Sequence, residues 1–362
     1  MRKKLQKRNL QKGKNSGIGC FGRDWHVYFL LMPICVFFCM LVFLSGCRIN
    51  SDHQLQPVVI KAYPPLSNES GVRLSADRSA EAGSAVLPDE YEDVLMNAYF
   101  YVLIAQNNVE PFVDTSGNNL EIVLNYDKEQ SCWTGEMASD IAAAADAVNQ
   151  NMLVLIRNGE RDDKTLFYGM EEADAGKQKE ITVQVLNGYQ LGDVGPAGGY
   201  IYHEQSDKAF LQSRWRYLEA AQNRWSGPDA VSDPAVFWGA ANGVAGAGVD
   251  GVGLGLEQTQ LICLNTGDGS EHAAGMCAAA EINGFSDWFL PTAGEMELLM
   301  SRVGQDSDPS VTLESGEGKA YWSSSEAEVS KAKALIYSES GVSEPIGLSK
   351  NLSLLIRPSR RF

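Results

Sequence analysis

Gly192-Asp193-Val194-Gly195-Pro196-Ala197-Gly198-Gly199-Tyr200-Ile201-Tyr202 opens the more legible half of the chain. Three glycines around a proline make a turn, and the turn delivers Tyr200-Ile201-Tyr202 into a strand. Working downstream, the same texture recurs in Trp215-Arg216-Tyr217-Leu218-Glu219-Ala220-Ala221, Trp238-Gly239, Cys277-Ala278-Ala279, Phe285-Ser286-Asp287-Trp288-Phe289-Leu290-Pro291-Thr292, Tyr321-Trp322-Ser323-Ser324-Ser325 and Ile356-Arg357-Pro358. Trp215, Trp225, Trp238, Trp288 and Trp322 all fall in this half. Each can bury roughly 150–250 Å² and needs one partner for its indole N–H, so the set is read as core layers rather than a ligand box. Thr292-Ala293-Gly294-Glu295, with Pro291 just before it, is a capping box that starts a helix burying Met296, Leu299 and Met300. Tyr321–Ser325 reads as a strand whose serines bond neighbouring backbone. Arg357 is expected to be structural, held by a carboxylate such as Asp287 or Glu295.

Taken in this order and spacing, the motifs over residues 189–362 resemble the Lcl C-terminal domain family, found in spirochaete-type surface lipoproteins and named for the end of a collagen-like adhesin. The resemblance implies an α+β fold of the sulfatase-modifying-factor kind, related to C-type lectin-like domains. It also implies a binding module on a bacterial surface, with host matrix components such as glycosaminoglycans as the family's partners. Trp215, Asp287, Trp288, Pro291, Trp322 and Arg357 are then structural residues of the family motif. Calcium-type lectins use Glu-Pro-Asn or Gln-Pro-Asp with Trp-Asn-Asp. This chain has Glu344-Pro345-Ile346 and Ser286-Asp287-Trp288, so no calcium-dependent sugar site is expected. Formylglycine-generating relatives work through a cysteine pair; Cys263 and Cys277 are the pair in this half, and their context does not match that chemistry.

Upstream, the first residues look like an export signal. Arg2, Lys3, Lys4, Lys7, Arg8, Lys12, Lys14 and Arg23 precede an apolar run from Val27 to Leu44. The run ends in Leu44-Ser45-Gly46-Cys47, which looks like a bacterial lipobox. Small residues at Ser45 and Gly46 admit a peptidase, and the Cys47 thiol is the nucleophile that takes the lipid. Several acyl chains on Cys47 make a durable membrane anchor where one would be marginal. The alternative is an uncleaved transmembrane anchor, since about 20 apolar residues span a bilayer. Arg48 after the acylated position, where inner-membrane retention signals place Asp, favours the outer membrane.

The expected organisation is a signal peptide over 1–46, a lipid-anchored flexible tether over 47–88, a small α+β domain over 89–187 and the Lcl-like domain over 188–362. The tether is rich in Ser, Ala, Pro and charge, and shows no sustained apolar period. In the small domain, Tyr91–Gln106 has helical apolar spacing and Thr134–Asn149 is an alanine-rich helix. Leu120–Tyr126, Asn151–Arg157, Thr165–Met170 and Lys179–Leu186 read as strands. Its function is not legible.

Charge narrows the partners. Of 30 Lys/Arg and 46 Asp/Glu, eight and one fall in residues 1–46, which leaves 22 and 45 and a formal net charge of −23 for residues 47–362. Such a surface repels phosphate backbones and anionic headgroups. Nucleic acid is not expected as a partner; an envelope protein, an extracellular protein or a glycan is. Export permits a disulfide, and Cys263 with Cys277 would close a short loop worth roughly 3 kcal/mol, leaving Cys132 buried. Gly246-Ala247-Gly248-Val249-Asp250-Gly251 fits the dinucleotide fingerprint only on paper, because it lacks a strand before it and a helix directly after it. The glycine-rich stretch Gly243–Gly255 is read instead as a flexible surface loop where a ligand could dock. His53, His203 and His272 form no metal-ligand spacing. No metal, cofactor or catalytic constellation is expected, so the chain is read as a non-enzymatic surface lipoprotein with a C-terminal binding module. A structural envelope-assembly lipoprotein is the first alternative, and an exported enzyme on the sulfatase-modifying-factor scaffold is the second.

Overall fold

The stretch Met96–Ile104 is a strand, and not the helix that its apolar spacing suggested. Its residues decide the matter. Tyr99, Phe100, Tyr101, Val102 and Ile104 are aromatic or β-branched, types that suit a pleated surface better than a helical one. Met96, Ala98 and Phe100 alternate into the core, while Tyr99 and Tyr101 pack on the opposite face. An apolar run covered on both sides satisfies period 2 and period 3.6 together, which is why spacing alone misread it.

A computed structural model describes residues 57–65, 94–104, 108–113, 117–138, 152–158, 167–173, 178–239, 242–244, 246–267, 269, 271–303, 312–316, 319–338 and 341–362. The leader, Cys47, His53 and residues 139–149 of the second expected helix lie outside the described residues. The first sheet is built from β1 (Val58–Tyr63), β2 (Met96–Ile104), β3 (Asn108–Pro111), β4 (Glu121–Asp127), β5 (Cys132–Met137), β6 (Met152–Asn158), β7 (Phe167–Ala173), β8 (Glu180–Gln184) and β9 (Leu186–Asn187). Their order is β8-β1-β5-β4-β2-β6-β7-β9, with β3 paired to β2. The sheet curls until its ends approach: a Cβ at Gly169 in β7 would lie 2.8 Å from the Gln184 carbonyl of β8. Inside the curl sits a core that includes Ile60, Phe100, Leu124, Trp133, Val154, Phe167 and Val183. Thr134–Met137, expected in the alanine-rich helix, belongs to β5 instead.

β1 lies within the stretch expected to be a flexible tether. Val58, Ile60 and Ala62 are buried, and the strand runs antiparallel to β5 and parallel to β8. Val58-Val59-Ile60 supplies the β-branched side chains that such a position needs.

After Asn187 the chain leaves this sheet. It forms β10 (Tyr200–Glu204), α1 (Asp207–Ser213), β11 (Tyr217–Ala220), β12 (Ala235–Val236), α2 (Gly255–Thr266), α3 (Ala273–Ala278), α4 (Ala293–Val303), β13 (Tyr321–Glu328), β14 (Lys331–Leu335), β15 (Tyr337–Ser338), β16 (Gly341–Val342), β17 (Ile346–Ser349), β18 (Leu354–Leu355) and β19 (Ser359–Arg361). These strands make three small sheets: β10-β11-β19, β12-β18-β13-β14-β17 and β15-β16. The expected α+β architecture of the sulfatase-modifying-factor and C-type-lectin kind is therefore corrected. Among the described residues nineteen strands stand against four helices, none longer than 12 residues, and a nearly closed nine-stranded sheet dominates the first half.

Several local readings hold. The Gly195–Gly199 turn feeds β10. Thr292 Oγ1 accepts from the Glu295 N–H at 3.1 Å while Glu295 accepts from the Thr292 N–H at 2.8 Å, the reciprocal bonds of a capping box. α4 buries Met296, Leu299 and Met300.

The two halves share an apolar contact. Val109, Leu153, Leu155 and Tyr168 of the first sheet cluster with Tyr189, Ile201, Phe210, Leu211 and Tyr217. Arg216 lies over the Tyr168 ring at 5.2 Å and pairs with Glu204 at 2.8 Å and Asp207 at 2.9 Å. Arg157 reaches Asp207 from the sheet side at 3.1 Å. Leu55–Phe362 accordingly behaves as one unit.

Candidate functional site

The charged residues of the C-terminal half come first, because buried charge is where chemistry is usually found. Arg357 is 1% exposed and is held by Asp233, not by Asp287 or Glu295 as expected. Its Nε donates to Asp233 Oδ2 at 2.9 Å, its Nη2 to the same oxygen at 2.5 Å, and its remaining donors reach the carbonyls of Ala221 and Thr312. Tyr321 Oη donates to Asp233 at 2.9 Å, and burial pushes the Tyr321 phenol up. Asp287 instead receives Arg360 Nε at 2.8 Å, and its own side chain is half exposed. Arg360 also donates to Glu219, which is fully buried and accepts the N–H groups of Ala197 at 3.1 Å and Gly199 at 2.7 Å. Burial raises the Glu219 carboxyl, against the opposing pull of Arg360 and these N–H groups. The glycines of the opening turn now have a reason. A Cβ on Gly195 would sit 2.5 Å from the Glu219 carboxyl carbon, and one on Gly199 would sit 2.1 Å from the Ala220 carbonyl oxygen.

Glu295 has the largest consequence for the glycine-rich stretch. Its carboxylate accepts from Gly253 N at 2.7 Å, Gly255 N at 3.4 Å and Thr292 N, and burial lifts its pKa to about 7. A Cβ on Gly253 would collide with the Trp215 ring at 2.5 Å, and one on Gly294 with the Asp250 carbonyl at 2.2 Å. The stretch expected to be a flexible surface loop is thus, over Gly251–Gly255, laced against the core by close approach. The serines of β13 are fully buried and spend their hydroxyls locally: Ser323 on Lys333 O, Ser324 on Gln258 Oε1 and Ser325 on Val249 O. His272 caps α3. Its Nδ1 accepts from Gly275 N at 3.1 Å, which leaves the proton on Nε2, near Gly267 O and Thr266 Oγ1. Among the described residues no three His, Cys, Asp or Glu side chains converge as a metal site would.

Of the residues singled out from sequence, Trp215, Trp288 and Trp322 are buried in three separate packing clusters, and Pro291 and Arg357 are buried as well. They do not converge on one point. Cys263 and Cys277, the pair considered for a disulfide, are both buried in one apolar cluster, and burial pushes the Cys277 thiol well up. Sequence reasoning missed Asp233, Glu219 as a turn-holding carboxylate, and Arg360. Only Glu219 had a signal, since it stands inside the Trp215–Ala221 motif.

One tryptophan departs from the pattern. Trp225 is half-buried, whereas Trp215, Trp238, Trp288 and Trp322 are buried. With Ser226, Met276, Ala279, Ala280, Glu281 and Ile282 it lines an open cleft of about 240 Å³. One wall is the C-terminal end of α3. The other is a tight turn in which Asn283 and Gly284 both take positive φ, 51° and 83°, and Ile282 and Phe285 exchange two backbone hydrogen bonds of 3.0 Å. Asn-Gly at these positions is what such a turn requires. Asn283 Nδ2 ties the turn to Ala197 O at 2.8 Å, and Trp288 Nε1 ties it from below to Phe285 O at 3.0 Å. Trp225 Nε1 donates to Ile356 O at 3.1 Å, which fixes its ring. The walls are therefore preset.

No family model matches the chain, and no curated protein is similar to it. A search of solved structures returns a fimbrial protein from Bacteroides ovatus ATCC 8483, with 14% identity and a TM-score of 0.29, covering 85% of this chain and 71% of that one. At that score and identity the two chains need not share a fold.

Proposed function

We propose that the chain is an exported lipoprotein, anchored to the cell envelope through Cys47, whose C-terminal half is a non-catalytic binding module that takes its ligand at the Trp225 cleft. The observation that carries the reading is the contrast between the cleft and its surroundings. The buried ionisable groups of this half, Arg357 with Asp233 and Arg360 with Glu219 and Asp287, spend their bonds within the protein. The cleft combines a half-exposed tryptophan, a thioether and two polar side chains, Ser226 and Glu281. Concavities that join apolar side chains to a few placed polar groups are how proteins hold small ligands. The lipobox-like Leu44-Ser45-Gly46-Cys47 and the ordered motifs resembling the Lcl C-terminal family support export and a surface role.

Intact-mass analysis of the membrane-extracted protein tests the anchor. An acylated chain beginning at Cys47, absent from Cys47→Ala, is the expected result; an unprocessed chain without lipid would replace the lipoprotein by a transmembrane anchor.

A further inference from the structure

The Trp225 cleft also carries information about what it holds. Among the described residues Glu281 is the one ionisable residue lining it. The carboxylate is exposed and makes no hydrogen bond or ion pair among the described residues, unlike Asp233, Glu219 and Glu295. Trp225 packs against two core clusters and has committed its N–H to Ile356 O, so the part of the ring left in the cleft is carbon surface without a donor. Met276, Ala279, Ala280 and Ile282 add apolar wall.

Three ligand chemistries can be weighed against this lining. An anion meets Glu281 and the field of a body whose residues 47–362 carry a formal charge of −23. A purely apolar group covers the Glu281 carboxylate without pairing it, which is unfavourable because the lost hydration is not replaced. A cation on an apolar stem satisfies every surface at once. Its methylenes lie along Met276 and Ile282, and its charged head meets the carboxylate and the indole. Size agrees: about 240 Å³ is below the roughly 300–1,000 Å³ of drug-sized sites and is ample for one long side chain.

We infer that the cleft is a receptor for a basic side chain, arginine or lysine, presented by a partner protein. The inference rests on the proposed binding role of the cleft and names the chemistry of its occupant. Glu281 supplies the charge partner, Trp225 the cation–π surface and Met276 with Ile282 the contact for the stem.

The test uses the full chain in detergent, labelled with 5-fluorotryptophan, with the Trp225 resonance assigned by Trp225→Phe. Nα-acetyl-arginine amide is titrated against the neutral isostere Nα-acetyl-citrulline amide and against a neutral oligosaccharide. The expected result is a saturable shift of the Trp225 resonance with the arginine compound. The citrulline compound should bind at least about tenfold more weakly, and Glu281→Gln should lose a similar factor. Glu328→Gln, an equal change in charge on the distant β13 end, should leave the titration unchanged. Equal binding of arginine and citrulline, or binding of the oligosaccharide alone, would overturn the basic-side-chain inference while leaving a binding cleft. No saturable shift with any of the three would remove the cleft's binding role and this inference with it.

Discussion

Asp233 and Arg357 show how much a single pair can decide. Both are 1% exposed, 124 positions apart in sequence, and they join the loop before β12 to the strand-end before β19. Charges taken this far out of water are costly alone and tolerable only together. Arg357→Met should therefore lose about 3–5 kcal/mol in urea denaturation, because it strands the Asp233 carboxylate. Adding Asp233→Asn should recover part of that loss. If the double variant is no more stable than Arg357→Met, the pair is not the reason for the cost. The motif Ile356-Arg357-Pro358 marks Arg357 in the sequence. Its partner is not marked, because in so acidic a chain carboxylates are everywhere and only the fold selects among them.

The start of α4 ties two distant segments of the chain together. Its capping box was readable from Thr292 to Glu295, since four adjacent residues define it. The sequence could not show that the same carboxylate also receives Gly253 and Gly255 from a segment some 40 positions earlier. Burial raises Glu295 from 4.5 to about 7, so the folded protein holds a proton there that the unfolded chain has released. The stabilisation is full below pH about 4.5 and is lost as pH rises through about 7, a swing on the order of 3 kcal/mol. Chemical denaturation at pH 5.5 and pH 8 should show the wild type less stable at the higher pH, with a smaller difference in Glu295→Gln. An identical pH slope in the two proteins would mean that Glu295 does not titrate in this range. Strands fared differently from this cap. Those bounded by polar turns, such as β4 and β6, were visible as alternation or as short apolar runs. β1 was hidden in tether-like composition, and β2 was mistaken for a helix because both of its faces are covered. Period is informative only when one side of an element meets water.

At the scale of the whole molecule, the two halves are coupled through aromatic side chains. Tyr168 packs edge-on against Phe210 at 5.4 Å and Tyr217 at 5.6 Å, with Arg216 above it. Leu55–Phe362 should melt as one calorimetric transition. Tyr168→Ala, which removes the aromatic group that both halves touch, should lower it by about 3–5 kcal/mol and resolve two transitions. Two transitions already present in the wild type would mean that the contact does not couple the halves. β9 ends at Asn187, and the chain on either side belongs to one compact unit. The fold class on either side was not legible, because it depends on which strands pair across long separations.

Those separations bear on timing. β1 must wait for β8, about 120 residues later, and β11 finds its second neighbour only when β19 exists. Chains whose contacts span such distances fold slowly, since loop-closure entropy comes before any reward. The last strand to arrive closes the structure: until β19 has been made, β11 lacks its second partner, and a chain cut short before Ser359 stays open at that edge.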